Sequence, residues 1–169
     1  PPAFSIATVD LHITLHPTNT RVLSQLHIER QGLHNEPLVL DGDNLPVVSL
    51  RINGQEVTDN QSASEYYELS DSTLSIYTNR SSFQLEVITQ ISSEQNKALE
   101  GLYLSGGAYC TQCEAEGFRR ITFFLDRPDV LSVYTVTVVA DKSVPMLLAN
   151  GNPIDKGELD NNQHFVKWH

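Results

Sequence analysis

Apolar and polar residues alternate strictly from Val9 to His16: Val9, Leu11, Ile13 and Leu15 fall on one side, and Asp10, His12, Thr14 and His16 on the other. A period of two with β-branched residues predicts a half-buried strand. Pro17-Thr18-Asn19 predicts a turn, and Val22 to Arg30 a returning strand through Leu26 and Ile28. Short strands are predicted next at Pro37–Leu40 and Val47–Ile52, separated by the Asp41-Gly42-Asp43 turn. Asn53-Gly54 suits a two-residue type I′ hairpin, in which both central positions need a positive φ, with Gln55–Thr58 as the return. After a polar loop at Asp59–Ser64, strands are predicted at Glu65–Leu69, Thr73–Thr78 and Phe83–Ile91.

Ser92–Leu99 is polar and reads as a loop or one helical turn. Leu131–Ala140, rich in valine and threonine, is the strongest strand signal in the chain. Met146–Leu148 and His164–Trp168 are expected as short closing strands, with a turn at Asn150–Pro153 between them. Helical periodicity nowhere lasts beyond two turns. Many short strands at this spacing predict one all-β domain, an antiparallel sandwich or open barrel.

The 169 residues suffice for one domain with a real core. A formal net charge of −10 argues against nucleic acid as a partner, which asks for a basic face. It also argues against docking on anionic membranes. No apolar run approaches the roughly 20 residues that span a bilayer, and the start shows no signal-peptide pattern. The chain begins Pro1-Pro2 without a methionine and ends on strand-like residues, so a piece of a longer protein is expected. Two cysteines make no secreted disulfide framework, which favours a reducing cytoplasm.

Candidate chemistry gathers in Gly101–Asp129, where a Ser105-Gly106-Gly107 turn, a Cys-x-x-Cys pair, two glutamates and two arginines precede an apolar run. Polar, turn-forming residues this dense suggest a functional loop on a rigid scaffold. Elsewhere, His12 and His16 have helical zinc-pair spacing, but on a strand residues four apart lie roughly 13 Å from each other. They are therefore expected as solvent-face histidines. Cys110 and Cys113 lack both the βαβ context of a redox motif and a second ligand pair for zinc. Glu114 and Glu116 alternate, so an extended chain would point both to one face. They could present a carboxylate to an ammonium group or simply pair with Arg119 and Arg120. Read this way, the residues give a β-rich domain with one polar loop and no self-sufficient catalytic set.

A resemblance adds to this. Gly101-Leu102-Tyr103, Ser105-Gly106, the run Cys110 to Arg119 (CTQCEAEGFR) and Ile121 to Val130 (ITFFLDRPDV) resemble the zinc-dependent, thermolysin-like aminopeptidases of the bacterial aminopeptidase N family. The likeness extends from Val9-Asp10-Leu11 through Ala140-Asp141-Lys142 and Asn150-Gly151-Asn152 to Val166-Lys167-Trp168. It implies that residues 1–169 are the saddle-shaped, all-β N-terminal domain that rests on a catalytic domain of the same chain. The family's His-Glu-x-x-His zinc motif and Gly-x-Met-Glu-Asn motif do not occur here. The resemblance thus implies zinc in the intact enzyme, no catalytic residue or metal ligand in this part, and no hydrolysis by it alone. It also implies that Glu114 helps bind the free α-amino group of a peptide substrate, and that Gln112 lines the pocket for the first side chain. Glu116, Arg119 and Arg120 would support the loop, and Asp126-Arg127-Pro128-Asp129 would be a structural turn.

Two other readings predict different observations. A free-standing β-sandwich module that binds a peptide or protein would show affinity without catalysis. A redox or metal module on Cys110 and Cys113 would show bound zinc or a reactive, low-pKa thiol.

Overall fold

A computed structural model describes residues 2–169. Thirteen strands and a single 3₁₀ turn account for its regular structure. They are β1 (Phe4–Thr14), β2 (Thr20–Arg30), β3 (Leu38–Asp41), β4 (Val47–Ile52), β5 (Gln55–Glu56), β6 (Tyr66–Leu69) and β7 (Thr73–Tyr77). Then follow β8 (Ser82–Ile91), β9 (Gly101–Ser105), β10 (Ala108–Gln112), β11 (Val133–Asp141), β12 (Pro153–Leu159) and β13 (Gln163–Trp168).

An eight-stranded sheet runs in the order β12-β13-β11-β1-β2-β8-β4-β5, beside a three-stranded sheet β3-β7-β6 and the β9-β10 ribbon. The all-β reading holds. Within it, one pair is parallel: β1 lies beside β11, Thr8 opposite Val133 through Thr14 opposite Val139. The long excursion from β2 to Ser132 carries the chain across the molecule before β11 docks, so β11 arrives in the same direction as β1.

Alternation along the strands decides which face is buried. Val9 and Leu11, Leu26 and Ile28, Leu85 and Val87, and Leu50 and Ile52 line the inner face of the large sheet. Leu38, Leu40, Leu74 and Ile76 of the small sheet, with Phe123 and Phe124, close over them. Full burial of each such side chain contributes about 1.5–3 kcal/mol, and this layer holds the sandwich together. Gly42 ends β3 directly against Phe123, where a Cβ would lie within 2.2 Å of the ring. The Asn53-Gly54 hairpin forms as expected, with φ of 49° and 80°.

Two expectations near the C-terminal end change. Met146–Leu148 is not a strand; Leu147 is buried while Met146 and Leu148 are exposed, so the segment packs by a single side chain. Residues 153–159 instead form β12, an edge strand whose mostly exposed sequence lacks apolar alternation. It returns to β13 through Asn161 and Asn162, both at φ 59°, as a tight hairpin requires. The expected turn at Asn150–Pro153 is present, and Asn152 exchanges two backbone hydrogen bonds with His169. His16, expected on the first strand, lies just past the end of β1 and is exposed, while His12, expected on the solvent face, is half-buried between Leu23 and Thr137. Burial pushes its pKa below the ordinary histidine value.

A candidate substrate-anchoring loop

Gly101–Asp129 folds as a ribbon, a tight turn and a braced return. β9 and β10 pair antiparallel around Gly106-Gly107, whose φ values of 57° and 84° fit a two-residue hairpin. Gln112, the last residue of β10, pairs with Gly101. From Cys113 the chain leaves the ribbon and turns through residues 114–117, and the Gly117 amide donates to the Cys113 carbonyl at 2.9 Å. The 3₁₀ turn Phe118–Arg120 follows.

The turn alters the expected relation between the two glutamates. The chain is not extended here, so Glu114 and Glu116 have different surroundings. Glu116 reaches the Arg119 guanidinium at 3.5 Å. Glu114 is exposed and makes no ion pair among the described residues. Gln112 Nε2 donates to the Glu114 carbonyl at 3.3 Å, tying the two candidate residues by one side-chain-to-backbone contact. The Glu114–Ala115 peptide bond is cis.

Two sets of contacts brace this turn. On the polar side, Arg119 Nε donates to Asp126 Oδ2 at 3.0 Å, its backbone amide to the same oxygen at 3.2 Å, and its terminal nitrogen to the Asp126 carbonyl at 3.1 Å. Asp126 donates its own amide to Asp41 Oδ2 at 3.1 Å. Arg120 pairs with Asp43 at 2.9 Å and with Glu100 at 3.2 Å. Both arginines thus fasten the loop to the turn after β3. On the apolar side, the Phe118 ring stands edge-on to Phe124 at 5.2 Å, and Tyr134 lies 6.1 Å from each ring. Burial, with the Asp126 charge nearby, pushes the Tyr134 phenol up to about 12. Arg127 and Asp129 pair with each other on the surface.

A groove of about 650 Å³ opens beside the loop, with Cys113, Phe118 and Phe124 on one wall, and Val136 and Val138 in the neighbouring β11. Glu114 is not in it; the carboxylate stands on open surface.

The Cys113 thiol is not set up for redox chemistry. Burial and the Asp126 charge push the Cys113 thiol up, the reverse of what a reactive cysteine needs. Among the described residues no group of three His, Cys, Asp or Glu could hold a metal. His34 and His164 are engaged with the carbonyls of Ala3 and Val144. The residues present do not fit a zinc site. No helix among them is long and apolar enough to cross a membrane.

The structure therefore brings Gln112 and Glu114 together at the tip of a fixed turn, with Glu116, Arg119 and Arg120 behind them. Asp41, Asp43, Phe124 and Tyr134 complete the support and were not singled out from sequence. Only the density of polar residues after β10 pointed toward them, because their contacts join distant segments.

The profile of the family described as Peptidase M1 N-terminal domain matches residues 7–169. An aminopeptidase N from Caulobacter vibrioides is 48% identical over 165 residues, covering 98% of this chain and 18% of that protein. An aminopeptidase N from Escherichia coli is 43% identical over 168 residues, covering 99% of this chain and again 18% of the relative. The chain thus spans less than a fifth of the length of these relatives. Among solved structures, Legionella pneumophila aminopeptidase A in complex with aspartic acid superposes with a TM-score of 0.89 at 32% identity, over 99% of this chain and 20% of that one. An M1 zinc metallopeptidase variant from Deinococcus radiodurans bound to a Tyr-Ser-Ala substrate shares the fold, with a TM-score of 0.79 at 19% identity over 98% of this chain and 39% of that one.

Proposed function

The chain belongs to the peptidase M1 N-terminal domain family, and from that membership we propose that residues 1–169 form the substrate-anchoring N-terminal domain of a zinc aminopeptidase. In this reading the zinc, its ligands and the hydrolytic machinery lie in another part of the same polypeptide, on which this domain packs. The substrates are peptides with a free N-terminus, and the compartment is the cytoplasm, in keeping with two free thiols.

One observation carries the assignment: Glu114 is a carboxylate with no ion pair among the described residues, at the tip of a turn braced by Arg119. An aminopeptidase must tell a terminal ammonium from an internal amide. A carboxylate facing that charge favours the one and leaves an unpaired buried charge against the other. On open surface the attraction is weak, about 1 kcal/mol at 4 Å in water, against about 4 kcal/mol at the effective dielectric of a partly covered site. Glu114 therefore discriminates well only when the catalytic part covers it and excludes water. Gln112, linked to the Glu114 carbonyl, borders the space for the first side chain. Holding the amine also fixes the register, so that the first peptide bond is the one presented for cleavage.

The test is made on the full-length polypeptide, with a peptide carrying a free N-terminus and the same peptide acetylated. Release of the first residue from the free peptide alone, abolished by a zinc chelator, is expected. Equal cleavage of both, or of neither, contradicts the proposal.

A further inference from the structure

Arg119 faces three carboxylates at once: Asp126 at 3.0 Å, Glu116 at 3.5 Å and Asp41 at 3.8 Å. Its geometry toward them is uneven. Asp126, only 12% exposed, takes the Nε proton and the Arg119 backbone amide on the same oxygen, while its carbonyl takes a terminal N–H. Asp126 is in turn hydrogen-bonded to Asp41 at the end of β3, and the Arg119 carbonyl accepts from the Asp43 amide at 2.9 Å. The guanidinium fork thus joins the 3₁₀ turn to Asp126, seven residues on, and to Asp41 at the distant end of β3. The turn it holds begins at Gly117, packed so tightly on Gln112 and Cys113 that no Cβ fits. A shift of Arg119 passes directly into the backbone that carries Gln112 and Glu114.

We propose that Arg119 is a positioning residue for amine recognition: anchored by Asp126 and Asp41, it sets where the Glu114 carboxylate stands. The proposal rests on the reading of Glu114 given above. Two effects of Arg119 oppose each other in sign, which makes the role measurable. Its positive charge lies near the loop, so removing it makes the domain one unit more negative and strengthens attraction for an ammonium. Its forked contacts fix the geometry, so removing them misplaces Glu114 and weakens recognition. Misplacement by about 1 Å can cost as much as 100-fold, whereas an added charge across partly screened solvent acts weakly. Positioning wins.

The experiment uses the full-length, zinc-loaded protein and two competitive probes, leucine and its des-amino analogue 4-methylpentanoate. The ratio of their inhibition constants reads amine recognition alone and is indifferent to a general loss of activity. Arg119→Met is expected to lower the preference for leucine about tenfold or more, with 4-methylpentanoate binding unchanged. Arg119→Lys, which keeps the charge but not the fork, restores it only in part. An unchanged or increased preference in Arg119→Met overturns the proposal. If that variant does not fold, Arg119→Gln, which likewise removes the charge and the fork, carries the same test with the same two outcomes. Glu114→Gln is measured in parallel. If it alone lowers the preference, the role of Arg119 fails and the reading of Glu114 stands; if it leaves the preference intact, both fail.

Discussion

Gly117 lies against the Gln112 carbonyl so closely that a Cβ would sit 2.4 Å from that oxygen and 3.0 Å from the Cys113 Cα. Its φ of −84° is open to any residue, so space alone demands glycine here. Gly117→Ala is expected to push the end of β10 away from the 3₁₀ turn. In the full-length enzyme, KM for a free-amine substrate should rise about tenfold or more, while the zinc content stays at wild type. A wild-type KM would show that the backbone of the loop does not set the position of Gln112 and Glu114.

Glu65 supports a separate corner of the fold. It accepts from Arg80 Nε at 2.7 Å and from Thr78 Oγ1, and the Arg80 hydrogen bond is the main cause that holds its carboxyl below the ordinary glutamate range. A depressed folded-state pKa gives stability that is present above the unfolded value near 4.5 and disappears as pH falls through the folded value. With Arg80 41% exposed, solvent screening limits the effect to about 1 kcal/mol or less. Urea denaturation of wild type and Glu65→Gln should show that gap at pH 7 and a shrinking one as pH falls below the unfolded value. A gap that widens on acidification would contradict the assignment.

The Cys113 thiol, raised by burial and by the Asp126 charge, should resist alkylation. At pH 7.5, iodoacetamide is expected to modify it about tenfold more slowly than free cysteine, because so little thiolate is present. Faster modification than free cysteine would revive the redox reading.

What the sequence could disclose follows from how local each feature is. Asn53-Gly54 carries its own structure and forms the expected hairpin, and the alternation from Val9 falls within β1, which ends at Thr14 rather than His16. Leu131–Ala140 declares itself a strand, but nothing in its residues says that it will lie parallel to β1. β12 was invisible because an exposed edge strand needs no apolar alternation. Gln112 and Glu114 are proposed through resemblance; composition alone leaves Glu114 as ready to pair with an arginine as to face a ligand. The turn at residues 114–117 gives Glu116 to Arg119, and Glu114 makes no ion pair among the described residues. The brace itself depends on Asp41 and Tyr134, which meet the loop only in three dimensions.

The most direct test of the central claim is the kinetics of Glu114→Gln in the full-length enzyme on an aminoacyl p-nitroanilide. Glutamine keeps the size and hydrogen-bonding oxygen but removes the charge, so a charge-assisted contact with the substrate ammonium becomes a neutral one. A fall in kcat/KM of about tenfold or more, about 1.4 kcal/mol or more, with zinc content and thermal midpoint unchanged, is the expected result. Wild-type kinetics in that variant would mean that Glu114 does not meet the amine, and that this domain does not anchor the substrate through this loop.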